Sequence, residues 1–250
     1  MSVTIKTARE IEKMREAGRL LEQVHDELEN FIRPGVSTLE IDQLGEKIIR
    51  QMGCIPNFLH YNGYPASICV SVNDEVVHGI PKANRILQDG DIVSLDAGLI
   101  YQGYHSDAAR THAVGTISKE AQQLIDVTRQ SFFEGIKFAK AGNHLYEISA
   151  AIGAYAEKFG YGVRDLVGHG IGTSLHEDPE IPNFCQRRRG LKLQAGMTLA
   201  IEPMINQGRA DVEWLDDDWT VVTEDGSLSA HYENTVLITD GEPEILTFTK

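Results

Sequence analysis

Cysteine is scarce. Cys54, Cys69 and Cys185 are the three in 250 residues, widely spaced and without a CxxC pair. That rules against a disulfide scaffold and a four-cysteine zinc site, and it fits a reducing compartment. Basic residues fall short of acidic ones, 23 Lys plus Arg against 37 Asp plus Glu, for a net charge of −14. The deficit argues against a nucleic-acid-binding surface, and the run Arg187, Arg188, Arg189 reads as a solvated loop. No apolar run reaches transmembrane length, and the opening MSVTIKTARE has no apolar signal core. The expected setting is the cytoplasm, with neither DNA nor membrane as a partner. Long βαβ repetition is missing, and no GxGxxG follows a strand. The glycines of VGHGIG (167–172) lack the GKS or GKT of a phosphate loop.

What is present is an ordinary soluble composition, 42% apolar and 24% charged. The length allows one large domain or two small ones. Thr7 with Glu10 forms a capping box ahead of a long helix whose apolar stripe is Ile11, Met14, Ala17, Leu21, Val24, Leu28 and Phe31. Pro34 and Gly35 end it, and Ser37 with Glu40 opens a second helix. FIRPGVSTLEI (31–41) matches FAKAGNHLYEI (138–148) at a constant offset of 107, which also relates Gly53 to Gly160. ISKEAQQLIDVTRQSFFEGIKF reads as a long helix ahead of the second copy. The pattern predicts a pseudo-symmetric α+β domain, its halves roughly 7–115 and 118–240, with a site where they meet.

Strands are expected at 67–72, 91–99, 104–114, 196–205, 219–224 and 231–238, and a polar surface connection at 205–220. Asp96 and Asp107 fall on the two arms of a hairpin. With Tyr101 and Gln102 at the turn they face each other, about 4.5–5.5 Å apart at Cβ; one step of register leaves them within diagonal reach. Two such carboxylates need a shared proton or a cation. Glu202 in LAIEPMI and Glu233 in HYENTVLI are acids in otherwise apolar strands, and His169 sits between glycines. Four carboxylates and an imidazole suit divalent first-row ions. They carry too much charge for one ion and match two, which about 3.5–4 Å apart can share and activate a water. A glycosidase needs only a carboxylate pair and leaves His169 and two acids over. His78 and His176 lie in loop-like settings that fit ligation, orientation of a ligand, or substrate binding. His60, His105, His112, His144 and His231 have no comparable context and are read as structural or surface residues.

The stretches VVHGIP, DIVSLDAG, YHSDAARTHAVG, VGHGIGTSLHEDP, GMTLAIEPM and WTVVTEDGSLSAHYENTVLIT together resemble the type I methionine aminopeptidases in their short bacterial form. The resemblance spans about residues 10 to 245. It implies the pita-bread fold, an α+β architecture of two pseudo-symmetric halves around a dinuclear centre, here a single catalytic domain over 1–250. It implies that Asp96 binds one ion, that Asp107 and Glu233 bridge, and that His169 and Glu202 complete the other. The two ions would be Fe²⁺, Mn²⁺, Co²⁺ (cobalt) or Zn²⁺. His78 would position the substrate, His176 would contact the scissile carbonyl, and Glu202 would shuttle the proton. Tyr61, Tyr64, Cys69 and Trp219 would line the methionine pocket. Phe58 departs from a cysteine of well-known members, and Asn62 stands where histidine is common; both bear on pocket shape. The implied reaction is hydrolytic removal of an initiator methionine before a small second residue. The expected partners are peptides and nascent chains, with ribosome association compatible and a monomer expected. The competing readings are an X-Pro-specific metallopeptidase of the same fold and a non-catalytic binding module. X-Pro relatives usually carry an additional N-terminal domain and some eukaryotic members a zinc-binding extension; neither is seen here, and the ligand set is complete, which favours the methionine-specific enzyme.

Overall fold

The computed structural model describes residues 3–163 and 165–248. Of the expected 1–250 domain, Met1, Ser2, Arg164, Thr249 and Lys250 lie outside the described residues. The first half opens with helices α1 (Ala8–Phe31) and α2 (Thr38–Gln51). Strands β1 (Ile55–Pro56), β2 (Ile68–Val72), β3 (Glu75–Val77), β4 (Ile92–Tyr101) and β5 (Tyr104–Ala113) follow. The second half opens with α3 (Lys119–Ile136) and α4 (Leu145–Glu157), then β6 (Val167–Gly170), β7 (Glu177–Pro182) and β8 (Thr198–Ile201). It continues through β9 (Met204–Asn206), β10 (Val212–Trp214), β11 (Val221–Thr223), β12 (Ser229–His231), β13 (Glu233–Leu237) and β14 (Glu244–Ile245).

The helices begin where their caps predict. The Glu10 carboxylate accepts from the Thr7 N–H and hydroxyl, both at 2.7 Å, and the Glu40 carboxylate accepts from Ser37 in the same way. The two copies of the turn share more than sequence. Gly35 and Gly142 have φ of 93° and 95°. The Gly35 N–H donates to the Leu87 carbonyl and the Gly142 N–H to the Leu193 carbonyl, each at 2.9 Å.

The nine-stranded sheet runs β1-β4-β5-β13-β8-β6-β7, with β2 pairing β4 and β14 pairing β13. The halves join at β5 and β13, where Glu233 pairs with Ala109 and Asn234 with Ala108. Alternation along β4 sends Val93, Leu95, Ala97 and Leu99 into one core with Leu21, Val24 and Leu28 of α1 and Ile41 and Ile49 of α2. In the second half Leu199, Ile201 and Val236 pack with Phe132 of α3 and Ile148 and Ile152 of α4. Each half therefore commits one sheet face to its helix pair and leaves the other for polar residues.

Three expectations need correction. The hairpin turns at Gln102 and Gly103, with φ of 48° and 83°, since a two-residue hairpin of this type needs positive φ at both positions and glycine supplies it freely. Asp96 consequently pairs with Ala109, and Asp107 with Gly98, so the two acids are diagonal neighbours. The strands expected at 196–205 and 231–238 are each interrupted. Pro203, which has no N–H to donate, follows the end of β8, and Tyr232 separates β12 from β13. The connection 205–220 contains β10, paired with β11.

Candidate metal centre

Asp96 projects from the middle of β4, and Asp107 from β5 on the same face. Gly98 makes room for Asp107: a Cβ there would lie 3.0 Å from Asp107 Oδ1 and 2.5 Å from Asn57 Nδ2. From the second half, Glu202 sits in the break between β8 and β9, and Glu233 opens β13. The Asn183 amide holds the break by donating to the Glu202 carbonyl at 2.9 Å. Arg110 anchors the other strand, donating to the Glu233 carbonyl and to Asn234 Oδ1 while ion-pairing with Glu22.

His169, on β6, points Nε2 into this group, 3.5 Å from Glu202 Oε1 and 3.8 Å from Asp107 Oδ2. Its Nδ1 is 2.8 Å from the Gly170 carbonyl oxygen. A carbonyl only accepts, so Nδ1 carries the proton and the Nε2 lone pair faces the carboxylates, as a ligating imidazole requires. Donor atoms of Asp107, His169 and Glu233 lie within 4.8 Å of one another, as do those of Glu202, His231 and Glu233. Asp96 belongs to neither triplet but lines the same cavity.

The electrostatics are severe. Asp107 and Glu233 are 3% and 1% exposed. Burial raises the Asp96 carboxyl to about 7. It also pushes Asp107, Glu202 and Glu233 well above the carboxylate range, with mutual repulsion adding to the effect. Asp96 Oδ1, Asp107 Oδ1, Glu233 Oε1 and His231 Nε2 have no hydrogen-bond partner. Unpartnered oxygens from converging acids, beside an imidazole lone pair, fit divalent first-row cations. His231, read from sequence as structural or surface, is buried inside this group. Its signal was present: two residues before Glu233, alternation along a strand puts His231 on the same face as that acid. His60 is exposed, His144 precedes α4, and His105 and His112 are partly buried away from the acids.

A cavity of about 350 Å³ opens over the acids. All twelve residues singled out from sequence line it: Asp96, Asp107, His169, Glu202 and Glu233 with His78, His176, Phe58, Tyr61, Tyr64, Cys69 and Trp219. Leu175 and Met204 add apolar wall that sequence reading did not pick out. Trp219 packs edge-on against Tyr64 and His78, with ring centroids 5.1 and 6.1 Å apart. The His176 ring meets His169 edge-on at 4.3 Å, and its Nδ1 lies 2.8 Å from the Tyr61 hydroxyl. Tyr61 is carried on a tight turn in which His60, Asn62 and Gly63 all have positive φ. Burial lowers the pKa of His176, and that of His78 to about 4, so both rings are neutral near pH 7.

The profile of metallopeptidase family M24 matches residues 12–240. A methionine aminopeptidase of Clostridium acetobutylicum is 54% identical over 246 residues, 98% of each chain. The crystal structure of the Thermotoga maritima methionine aminopeptidase superposes with a TM-score of 0.97 at 44% identity, covering 99% of this chain and all of that one (100%). An Xaa-Pro dipeptidase of Bacillus anthracis shares the fold at a TM-score of 0.81 and 27% identity, but this chain spans only 62% of it. The two α+β halves are those of the pita-bread fold, and the chain belongs to metallopeptidase family M24, in its methionine aminopeptidase branch.

Proposed function

We propose that this chain hydrolytically removes the N-terminal methionine from peptides and nascent proteins, with a small second residue preferred. The observation that carries the reading is the convergence of four carboxylates and His169 on the floor of an aromatic-walled cavity. Asp96, Asp107, His169, Glu202 and Glu233 are the residues that would hold two divalent ions. When bound, such ions supply a water of lowered pKa and polarise the scissile carbonyl.

The protein's own groups account for the rest. Glu202 takes the proton of the attacking water on a carboxylate oxygen and returns it to the leaving amine. The Tyr61 hydroxyl lies 2.8 Å from His176 Nδ1; in the tautomer where it donates to that nitrogen, the ring proton sits on Nε2 and can be given to the oxygen that becomes negative in the transition state. His78, neutral and held against Trp219, orients the amino end of the substrate. Tyr64, Cys69, Phe58 and Trp219 surround the methionine side chain, an unbranched thioether suited to aromatic walls. The closed floor and the acids fix the free amine, which restricts cleavage to the first peptide bond.

No helix among the described residues is long and apolar enough to cross a membrane. The reading is of a single-domain monomer acting in the cytoplasm on free peptides and chains emerging from the ribosome. The test is a dialysed sample assayed on Met-Ala-Ser and on an X-Pro peptide with Mn²⁺, Fe²⁺, Co²⁺ or Zn²⁺ restored singly. Cleavage of Met-Ala-Ser alone is expected. Preferential cleavage of the X-Pro peptide would replace the reading with the proline-specific one, and no cleavage with any ion would favour a binding module.

A further inference from the structure

His231 ends β12, two residues before Glu233. Its ring is buried, at 2% exposure. Buried polar atoms nearly always find a hydrogen-bond partner, yet His231 Nε2 has none. The atom points into the carboxylate group, 3.7 Å from Glu202 Oε2 and 4.0 Å from Glu233 Oε2. Both distances are too long for a hydrogen bond. They are close to the spacing of donors that share a cation: ligands about 2.1 Å from one ion at a tetrahedral angle stand roughly 3.4 Å apart.

His169 provides an internal standard. Its Nε2 lies 3.5 and 3.8 Å from Glu202 Oε1 and Asp107 Oδ2, nearly the same spacing as that of His231. The Glu202 carboxylate therefore lies between two imidazoles, with one oxygen toward each. All three donor atoms of Glu202, His231 and Glu233 fall within 4.8 Å.

We infer that His231 is a second imidazole ligand of the metal centre, so that this chain offers six side-chain donors, four carboxylates and two imidazoles. The inference rests on the reading of the site as a metallopeptidase centre. It accounts for the unpartnered nitrogen, for its distances, and for an imidazole placed among acids where an apolar side chain would otherwise fill the space. A second nitrogen donor also reduces the share of ion binding that falls on the bridging carboxylates, and so tightens the more weakly held ion.

Co²⁺ is a suitable probe, because its unpaired electrons move the ring protons of a ligating imidazole far outside the normal range. Proton spectra of the Co²⁺-loaded parent should show two such rings. His231→Gln should delete one, and His169→Asn the other. Calorimetric titration of His231→Gln with Co²⁺ should show one of the two ions bound about 10–100-fold more weakly. A single shifted ring in the parent protein, or two that persist in His231→Gln, would overturn the inference while leaving the metallopeptidase reading intact. The parent spectrum decides even if the variant fails to fold. Failure to bind any Co²⁺ would overturn both.

Discussion

The two halves of the site start from the same parts and deliver their acids differently. In the first half, Asp96 and Asp107 stand on one continuous hairpin whose two-residue turn fixes their relation. In the second, the counterparts of those strands, β8 and β13, are separated in sequence by the paired strands β9–β12 and β10–β11. Glu202 lies in the break after β8, and Glu233 directly follows the break at Tyr232. A continuous ladder constrains each side chain to one of two faces. A break relaxes that constraint, and beside the breaks Glu202 and His231 enter one cluster with Glu233. The first half thus supplies a rigid floor, and the second supplies the groups that reach across it.

The largest expected effect tests that division of labour. Glu202→Gln keeps the shape of the side chain and removes its proton-accepting oxygen, so kcat should fall about 10²–10⁴-fold with the circular dichroism unchanged. Asp107→Asn should instead lower the occupancy of both ions by elemental analysis. If Asp107→Asn kept two ions while Glu202→Gln lost both and kept its turnover on reloading, the roles of the halves would be reversed.

Next in size is the cost of the acids without their cations. The Asp96 carboxyl has a folded-state pKa of about 7 against an ordinary 3.8. A raised pKa means that the folded chain holds a proton the unfolded chain releases, so the contribution is present at low pH and lost as pH rises through about 7. Asp107, Glu202 and Glu233 shift in the same direction. The buried histidines shift downward and act oppositely, but above about pH 6.5 they are neutral in both states. Metal-free protein should therefore lose thermal stability between pH 6.5 and 8. Asp96→Asn should gain on it by on the order of 2–3 kcal/mol between pH 5 and pH 8. Equal pH slopes for the two chelated proteins would exclude Asp96 as a source of the effect.

The same comparison explains what could be read from sequence. Caps, helical stripes and the offset of 107 are local signals, and α1 to α4 follow them. The acids of the hairpin were legible because a charge in an apolar strand is informative wherever the register falls; the register itself was misplaced because Gly103 was not given its weight as the turn residue. The second half was harder. Its strands β8, β9, β12 and β13 are three to five residues long, set by pairing with distant partners and ended by Pro203 and Tyr232. Periodicity over so few residues cannot show a break, although it does put His231 on the face of Glu233, a signal left unweighed in the sequence. The pocket residues came from resemblance; no pattern of their own places Tyr61, Phe58 and Trp219 on one wall.

A smaller effect is expected at the floor. Gly98→Ala places a methyl group against Asp107 Oδ1 and Asn57 Nδ2, which are buried and have little room to move. Such overpacking costs about 1–3 kcal/mol, and the displaced Asp107 should weaken ion binding measured by calorimetry. A variant with unaltered stability and ion affinity would show that the floor yields, contrary to the rigidity assigned to it.

The smallest effect compares the duplicated turns directly. Ser37 Oγ accepts from the Glu40 N–H at 3.2 Å and donates to the Glu40 carboxylate at 2.7 Å, closing a reciprocal cap on α2. At the matching position His144 has no side-chain cap bond to α4; its N–H reaches the Glu147 carboxylate at 3.1 Å while Nδ1 lies 3.2 Å from the Gly190 carbonyl oxygen. The backbone half of the cap is shared, and the side-chain half has been redirected to hold the chain ahead of Leu191. Ser37→Ala should therefore destabilise by about 1 kcal/mol in urea titration. His144→Ala should cost about half as much, from one hydrogen bond partly open to solvent. If His144→Ala proved the more damaging of the two, the segment beside Gly190 would contribute more to stability than the helix cap that the repeat preserves.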